Sequence, residues 1–235
     1  MMIEPAVARR AAMHGALADP HRLEIVDELA MSDRSPSELS ASLAIGSNLL
    51  AHHLGVLEDA GIVERLSSAG DARRRYVRLI PDAVSVIAEP AETLVARDVL
   101  FVCTANSARS QLAAAVWNAR HEVPASSAGT RPAPRVRPEA IRAAARAGFD
   151  LGAATTRSID EIAGRPDLLV TVCDVAREEL GSLPDDVHLL HWSIPDPALT
   201  PSASAFDEAL RRISSRVDRL APYIRPPRRP RRSRP

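Results

Sequence analysis

Apolar residues recur at helical spacing over the first sixty positions of the chain. Two helical patterns cover residues 5–31. The segment SPSE at 35–38 then combines a capping serine, a first-turn proline and a glutamate three residues later, which predicts a capping box and a third helix through about Leu43. After a short turn, Ser47 is the predicted N-cap of a fourth helix, which ends at Gly61.

The fourth helix has one apolar stripe, and a ribbon follows it. Its stripe is Leu50, Leu54 and Leu57, so the polar positions around them are expected to face outward. The runs 63–66 and 73–79 flank a turn and read as two strands. Helix, turn, helix and ribbon together predict a winged helix-turn-helix, mainly α with a β-wing.

From about residue 96 the pattern changes to short apolar runs that alternate with helices. Strands are predicted at 98–102, 125–128, 168–172 and 187–192. Helices are predicted from just after residue 110 to 120, and at 138–148, 175–180 and 203–220. This βαβα order predicts a three-layer α/β domain with a parallel four-stranded sheet, whose site lies at the carboxyl ends of the strands.

The chain is therefore expected to hold two domains and a tail. The winged-helix domain is placed at 1–95, the α/β domain at 96–224 and a disordered Arg/Pro tail at 225–235. Residues 81–97 are expected to add a dimerisation helix broken at Pro90, followed by a short connection. The tail holds only basic charges, so it would add nonspecific attraction to DNA or only solubility.

Composition narrows the functional classes. Hydrophobic residues make up 46% and charged residues 26% of the chain, which favours a folded protein. No apolar run approaches the roughly 20 residues that a membrane helix needs, and the first ten residues lack a signal-peptide core. We expect a cytoplasmic protein without a membrane partner. Its two cysteines cannot form a disulfide framework and are better read as packing or reactive thiols.

The first domain resembles a known family of regulators. His14–Leu79, with ALADPHRLEIVDELA, SPSELSASL, LLAHHLGVLEDAGIVER and GDARRRYVRL, resembles ArsR-type winged-helix repressors. The resemblance implies a homodimer through this domain that lays the 47–60 helix in the major groove of a double-stranded DNA operator, with the ribbon on the backbone or minor groove. The expected DNA-binding residues are Ser47, Asn48, Ala51, His52, Gly55, Arg73, Arg74, Arg75 and Arg78. The alternative for the ribbon is a solvated charged edge.

No metal site is expected in this domain. His52 and His53 are adjacent on one helix and point about 100° apart, so they cannot share an ion without help. His53 borders the apolar stripe and is expected to be half-buried with its hydrogen bonds satisfied. The first cysteine comes only at residue 103, which excludes thiolate sensing here.

The candidate chemistry begins where an apolar strand ends in Cys103, with Arg109 six residues later in a loop that enters a helix after Ser110. A short loop that enters a helix can turn its amides inward and form a cradle for a tetrahedral oxyanion. The same field favours Cys103 as a nucleophilic thiolate, and Arg109 can grip two oxygens. Asn106 suits a left-handed turn, and Ser110 can donate to the sulfur. The residues predicted to form the oxyanion-binding loop are Thr104, Ala105, Asn106, Ser107, Ala108 and Ser110. The alternative is an inert, packed cysteine.

The second domain also resembles a known family. The segments VLFVCTANSARSQLAAAVWN, SAGTRPAPRVRPEAIRAAARAGFDL, TRSIDEI, DLLVTVCD and HWSIPDPA occur in the order found in low-molecular-weight protein tyrosine phosphatases, and are most similar to the arsenate reductases of that fold. The resemblance implies that Cys103 is the nucleophile, Arg109 the oxyanion clamp and Asp196 the general acid.

Departures from the family pattern bear on the substrate and the reductant. Phosphatases of this fold carry tyrosines where this chain has Ala198-Leu199, and many relatives have a second cysteine where this chain has Ala108. Thioredoxin-coupled reductases use three cysteines; Cys173 matches the second, and Leu180 stands where the third is expected. Two routes stay open: either Cys173 closes on Cys103, or a small thiol attacks the arsenic adduct directly.

The sequence therefore predicts a DNA-binding regulator fused to a thiol-dependent arsenate reductase. It would bind arsenate or phosphate, hold no bound cofactor and use an external thiol reductant: thioredoxin, mycothiol or glutathione with glutaredoxin. One alternative is a low-molecular-weight phosphatase fused to the regulator. Another is a non-catalytic transcription factor that responds to an oxyanion.

Overall fold

The computed structural model describes residues 5–80, 93–181, 183–200 and 202–227. The chain divides into two compact units, Met1–Ala91 and Glu92–Pro235. The predicted dimerisation helix with Pro90 falls largely on 81–92, and most of the predicted tail falls on 228–235; both of these stretches lie outside the described residues. Within the described ranges, no helix is long and apolar enough to cross a membrane.

The first unit is a winged helix-turn-helix, as the sequence predicted. Its elements are α1 (Pro5–Leu17), α2 (Pro20–Met31), α3 (Pro36–Ser42), α4 (Ser47–Asp59), β1 (Val63–Ser67) and β2 (Arg75–Leu79). The two strands pair antiparallel. Leu50, Leu54 and Leu57 of α4 are at most 2% exposed, which confirms the predicted inward stripe. They pack in one core with residues of α2, among them Ile25 and Leu29.

The helix starts in this unit are partly as expected. Ser35 and Glu38 form the predicted capping box, in which each side chain bonds to the other residue's backbone N–H. The prediction of Ser47 as the next N-cap is wrong, because Gly46 is the N-cap and Ser47 is already helical. Ala44 takes a left-handed backbone (φ 53°) and Ile45 is buried, so the chain turns into α4 one residue earlier than the serine suggests.

The second unit is the predicted α/β domain. Its strands are β3 (Leu94–Val95), β4 (Val99–Cys103), β5 (Ala125–Gly129), β6 (Leu168–Thr171), β7 (His188–His191) and β8 (Ile224–Arg225), and its helices are α5 (Arg109–Arg120), α6 (Pro138–Arg146), α7 (Asp174–Leu180) and α8 (Ala203–Leu220). Four strands form a parallel sheet in the order β5-β4-β6-β7. Phe101 of β4 lies between Trp117 and Trp192, with ring centroids 5.9 and 5.7 Å away.

A small second sheet differs from the expected boundaries. Leu94–Val95 pairs in parallel with Ile224–Arg225, and both segments belong to the second unit. The sequence placed 94–95 in the first domain and began the tail at 225, since two-residue strands carry no recognisable periodicity. The backbone pairing places both segments in the α/β unit.

Candidate active site

Cys103 is the last residue of β4, and the loop that follows leads directly into α5 at Arg109. The sulfur-bearing residue is 2% exposed. Because the four strands of the main sheet are parallel, the ends of β5, β6 and β7 lie at the same edge as Cys103. We refer to residues 103–110 as the cradle.

The carbonyl groups of the cradle point away from its interior. Those of Cys103, Thr104, Ala105 and Ser107 accept backbone hydrogen bonds at 2.8–3.2 Å from Thr130, Arg131, Ala133 and Arg137 respectively. The carbonyl of Asn106 accepts from the Gln111 side chain at 3.1 Å. In a trans peptide the N–H points opposite to the C=O, so amides in this loop turn inward. Inward amides at a helix N-terminus are the arrangement that binds an oxyanion.

Asn106 fixes the shape of the cradle. Its backbone is left-handed (φ 49°), as the sequence predicted, and the residue is fully buried. Its side-chain amide donates to the hydroxyls of Ser110 and Ser127 at 2.8 and 2.9 Å. Its side-chain oxygen accepts from the backbone N–H of Arg157 at 3.0 Å and from Gln111 at 3.1 Å. The turn is therefore held from three separate segments of the chain.

The sulfur of Cys103 has two polar neighbours. The backbone N–H of Asn106 donates to it at 3.2 Å, and the hydroxyl of Ser110 lies 3.1 Å from it. Both contacts, together with the positive end of the α5 dipole, suit a sulfur that carries negative charge.

The guanidinium of Arg109 meets Asp196 across the site. Arg109 is 8% exposed and donates to the Ile194 carbonyl at 3.0 Å and to the Asp196 carboxylate at 2.7 Å. The second carboxylate oxygen of Asp196 accepts from the N–H of Ala198 at 2.9 Å. The loop after β7 thus brings the Asp196 carboxylate to Arg109 of the cradle.

Cys173 lies beside the cradle as the N-cap of α7. Its sulfur is 3.4 Å from the hydroxyl of Thr104, and it is 2% exposed. Burial raises the pKa of the Cys173 thiol, against the opposing effect of the Arg109 charge. Both cysteines are free thiols.

Comparison with known proteins identifies this unit. The family model for low molecular weight phosphotyrosine protein phosphatase matches residues 98–228. The chain belongs to this family. An arsenate reductase of Bacillus cereus strain Q1 is 36% identical over 129 residues, covering 53% of this chain and 94% of that protein. An arsenate reductase from Brevibacillus brevis is 38% identical over 106 residues, which cover 43% of this chain and 78% of that protein. The solved structure of an arsenate reductase from Archaeoglobus fulgidus is 34% identical in sequence. The match covers 53% of this chain and 98% of that chain, with a TM-score of 0.45.

A second family model, helix-turn-helix domain, matches residues 17–65. The chain is therefore a fusion of a helix-turn-helix domain with a low molecular weight phosphatase domain. The low molecular weight phosphatase family and its arsenate reductase relatives use a cysteine nucleophile, the residue type that stands at the cradle. The catalytic candidates Cys103, Arg109, Asp196 and Cys173 all lie in the matched residues of the phosphatase domain.

The DNA-binding candidates of the helix-turn-helix domain separate into two groups. Ser47, Asn48, Ala51 and His52 are exposed on α4, and Gly55 is half-buried. In the wing, Arg73, Arg74 and Arg75 are exposed. Arg78 differs, because its guanidinium pairs with Glu64 at 2.7 Å and its side chain is only 14% exposed. The structure thus does not place Arg78 with the exposed wing arginines.

His53 does not behave as expected. It is 4% exposed rather than half-buried, and neither ring nitrogen has a hydrogen-bond partner among the described residues. Its Nδ1 lies 3.8 Å from a carboxylate oxygen of Asp19, and the His21 ring centroid is 5.4 Å away. Burial lowers the pKa of His53, and the nearby carboxylate partly opposes this. The start of α2 covers this face of α4, which the periodicity of α4 alone could not reveal.

Sequence reasoning missed the residues that brace the cradle of the phosphatase domain. Gln111, Ser127 and Arg157 lie 5, 21 and 51 residues along the chain from Asn106, which each of them contacts, and Gly129 lies against the backbone of Thr104. A Cβ atom on Gly129 would come within 2.7 Å of the Thr104 carbonyl oxygen, so only glycine fits there. The run of small residues at 126–129, which ends the strand next to β4, was the available signal.

Proposed function

We propose that this protein is a DNA-binding transcriptional regulator fused to a thiol-dependent arsenate reductase. One observation carries the enzymatic half: the carbonyls from Cys103 to Ser107 all bond outward, beside a sulfur and a buried arginine. That arrangement suits a tetrahedral oxyanion attacked by a thiolate. The relatives named arsenate reductase, at 36–38% identity, favour arsenate as this oxyanion.

The proposed first step is an attack by the Cys103 sulfur on bound arsenate. The Cys103 thiolate attacks arsenic, an oxygen of arsenate leaves as water, and a sulfur–arsenic(V) bond forms. Amides of the cradle and Arg109 hold the remaining oxygens. In this proposal Asp196 protonates the leaving oxygen, and its contact with Arg109 at 2.7 Å supports the role.

The mouth of the site favours a small substrate over an aryl phosphate. Ala198 and Leu199 follow Asp196-Pro197, and Leu199 is 79% exposed. Neither residue offers an aromatic ring on which a phosphotyrosine side chain could stack. Arsenate needs no such wall, because it carries no aryl group beyond its four oxygens.

The reducing electrons come from an external thiol. Burial raises the pKa of Cys173, so at neutral pH this residue is a protonated thiol and a poor attacking group. Its position beside Thr104 keeps an intramolecular disulfide with Cys103 as the second candidate route. Turnover by the Cys173→Ser variant distinguishes the two.

For the regulatory half we propose an ArsR-type homodimer that binds operator DNA in the cytoplasm. The support is the helix-turn-helix match, the exposed polar face of α4 and three exposed arginines in the wing. Arginines on a wing are suited to phosphate contacts, and the N-terminal part of α4 to base edges.

Arsenite production by the purified protein tests the enzymatic proposal. Arsenate and a thiol should yield arsenite with the wild-type chain, and Cys103→Ser should abolish this turnover. Rapid hydrolysis of an aryl phosphate without thiol-dependent arsenate consumption would instead establish a phosphatase. A non-catalytic sensor would show no turnover, and its oxyanion-dependent release of DNA would survive Cys103→Ser.

A further inference from the structure

The segment 130–137 flanks the cradle along most of its length. Its backbone N–H groups donate to the cradle carbonyls at four positions, 130, 131, 133 and 137. The Ala133 carbonyl in turn accepts a hydrogen bond from Thr156 at 2.6 Å. The segment is therefore fixed in place as one wall next to the oxyanion site.

This wall is basic. The sequence TRPAPRVR contains three arginines and no acid. Arg131 pairs with Glu179 of α7. Arg135 and Arg137 are exposed, and over the described part of the chain neither forms an ion pair with an acidic side chain. Two exposed cations thus remain on the wall, outside the cradle that a single oxyanion would fill.

The sulfurs of this protein are inaccessible to a large reagent. The chain has two cysteines, Cys103 and Cys173, and each is 2% exposed. No further cysteine can carry oxidising equivalents to the surface. A folded dithiol protein is too large to reach the buried Cys103 sulfur, whereas a low-molecular-weight thiol can enter the site.

From these two observations we infer that the reductant is a low-molecular-weight thiol that carries carboxylate groups, and that Arg135 and Arg137 bind those carboxylates beside the cradle. The inference rests on the proposed arsenate reductase activity and specifies its second substrate. Guanidinium groups bind carboxylates with well-directed paired hydrogen bonds, so this wall discriminates anionic from neutral thiols.

The reaction balances with two molecules of this thiol. The thiolate of the first attacks the Cys103 sulfur of the arsenic adduct; a sulfur–sulfur bond forms and the sulfur–arsenic bond breaks. Its electron pair stays on arsenic, which goes from As(V) to As(III) and leaves as arsenite. The second thiol attacks the mixed disulfide and releases the Cys103 thiolate. Overall, two thiols become one disulfide while arsenate becomes arsenite and water.

The test compares two thiols of similar size, 3-mercaptopropionate and the uncharged 2-mercaptoethanol, as reductants of arsenate by the full chain. The readout is the ratio of their KM values, since this cancels effects common to both thiols. In Arg135→Gln/Arg137→Gln we expect KM for 3-mercaptopropionate to rise about threefold to tenfold relative to that for 2-mercaptoethanol. Added salt should also raise the KM of the wild-type chain for 3-mercaptopropionate relative to that for 2-mercaptoethanol, because it screens the charge interaction.

Arg165→Gln is the matched control. Arg165 is an exposed arginine that precedes β6, so it lies at the sheet edge opposite the cradle, and its variant should keep the wild-type ratio. An unchanged ratio in the double variant overturns the inference while leaving the reductase intact. A thioredoxin that outperforms both small thiols in kcat/KM also overturns it. Absence of arsenite with every reductant overturns the proposed function itself.

Discussion

Gly129 faces the carbonyl oxygen of Thr104 so closely that a Cβ atom would lie 2.7 Å from it and 3.0 Å from the Asn106 nitrogen. Both contacts are backbone atoms of the cradle, which cannot swing away as a long side chain would. Gly129 at the end of β5 therefore determines how closely the cradle backbone can pack against the sheet.

Gly129→Ala should damage the oxyanion site more than the fold. Crowding of this kind costs about 1–3 kcal/mol of stability. To relieve it, the cradle backbone would have to shift, and its amides would no longer point at the oxyanion site. We expect a large rise in the dissociation constant for phosphate, measured by calorimetry, in protein that still unfolds cooperatively. Gly152→Ala is the control, because its new Cβ would meet only the Asp150 side chain. Equal phosphate affinity in the two variants would show that the Gly129 contact does not shape the site.

Cys173→Ser should retain arsenate turnover with a small thiol. The raised pKa of the buried Cys173 keeps it protonated at neutral pH, so we expect its attack on Cys103 to be slower than that of a small external thiol. We expect kcat within about threefold of wild type when 3-mercaptopropionate is the reductant. Turnover as low as that of Cys103→Ser would instead make the disulfide between the two cysteines obligatory.

The helix-turn-helix unit should lose stability in mild acid because of His53. Burial holds its pKa below the ordinary value of 6.5, so the neutral ring favours the fold above pH 6.5. As pH falls below 6.5 the unfolded chain takes up the proton first, and this stabilisation is lost until the folded-state pKa is passed. Each unit of pKa difference is worth about 1.4 kcal/mol.

Circular dichroism of the full chain in urea can follow this unit separately. Trp117 and Trp192 both lie in the phosphatase domain, so their fluorescence follows that domain alone. An acid-induced shift in the helical signal without a matching fluorescence shift belongs to the first unit. His53→Gln should flatten its pH dependence, and a profile identical to wild type would assign the effect to another group.

Replacing the exposed wing arginines should weaken the salt dependence of DNA binding. Each phosphate contact contributes a slope of about 0.9 to the dependence of log K on log salt concentration. The triple variant of Arg73, Arg74 and Arg75 to glutamine should lose part of this slope on mixed-sequence duplex DNA. Arg78→Gln should change it little, because the Arg78 side chain is paired with Glu64 and only 14% exposed. The Arg73 side chain is also paired, with Asp71, but it is 91% exposed and can reach a phosphate. The opposite ranking would place Arg78 on the DNA.

Periodicity was enough to predict the helices of both units and the four strands of the main sheet. It failed where a choice depended on distant packing. Ser47 has the better capping side chain, yet burial of Ile45 and the left-handed turn at Ala44 make Gly46 the cap. His53 sits at the edge of the α4 stripe, and only the position of Asp19 and His21 shows that the ring is covered.

The candidate site likewise contains residues that the sequence could identify and residues that it could not. Cys103, Asn106 and Arg109 could be identified in advance because they share one strand–loop–helix segment. The groups that hold them could not, since Ser127 and Arg157 reach Asn106 from 21 and 51 residues along the chain. The partner of Arg109 was named only through family resemblance, because an Asp-Pro dipeptide by itself indicates a turn.

The pairing of Leu94–Val95 with Ile224–Arg225 joins the entry and the exit of the phosphatase domain side by side. A domain with adjacent termini can be inserted into, or attached to, another polypeptide without stretching its own backbone. The same closure makes the domain a good subject for circular permutation, with new ends opened in a surface loop far from Cys103. It also gives a simple physical reason why the phosphatase domain can follow a helix-turn-helix domain on the same chain.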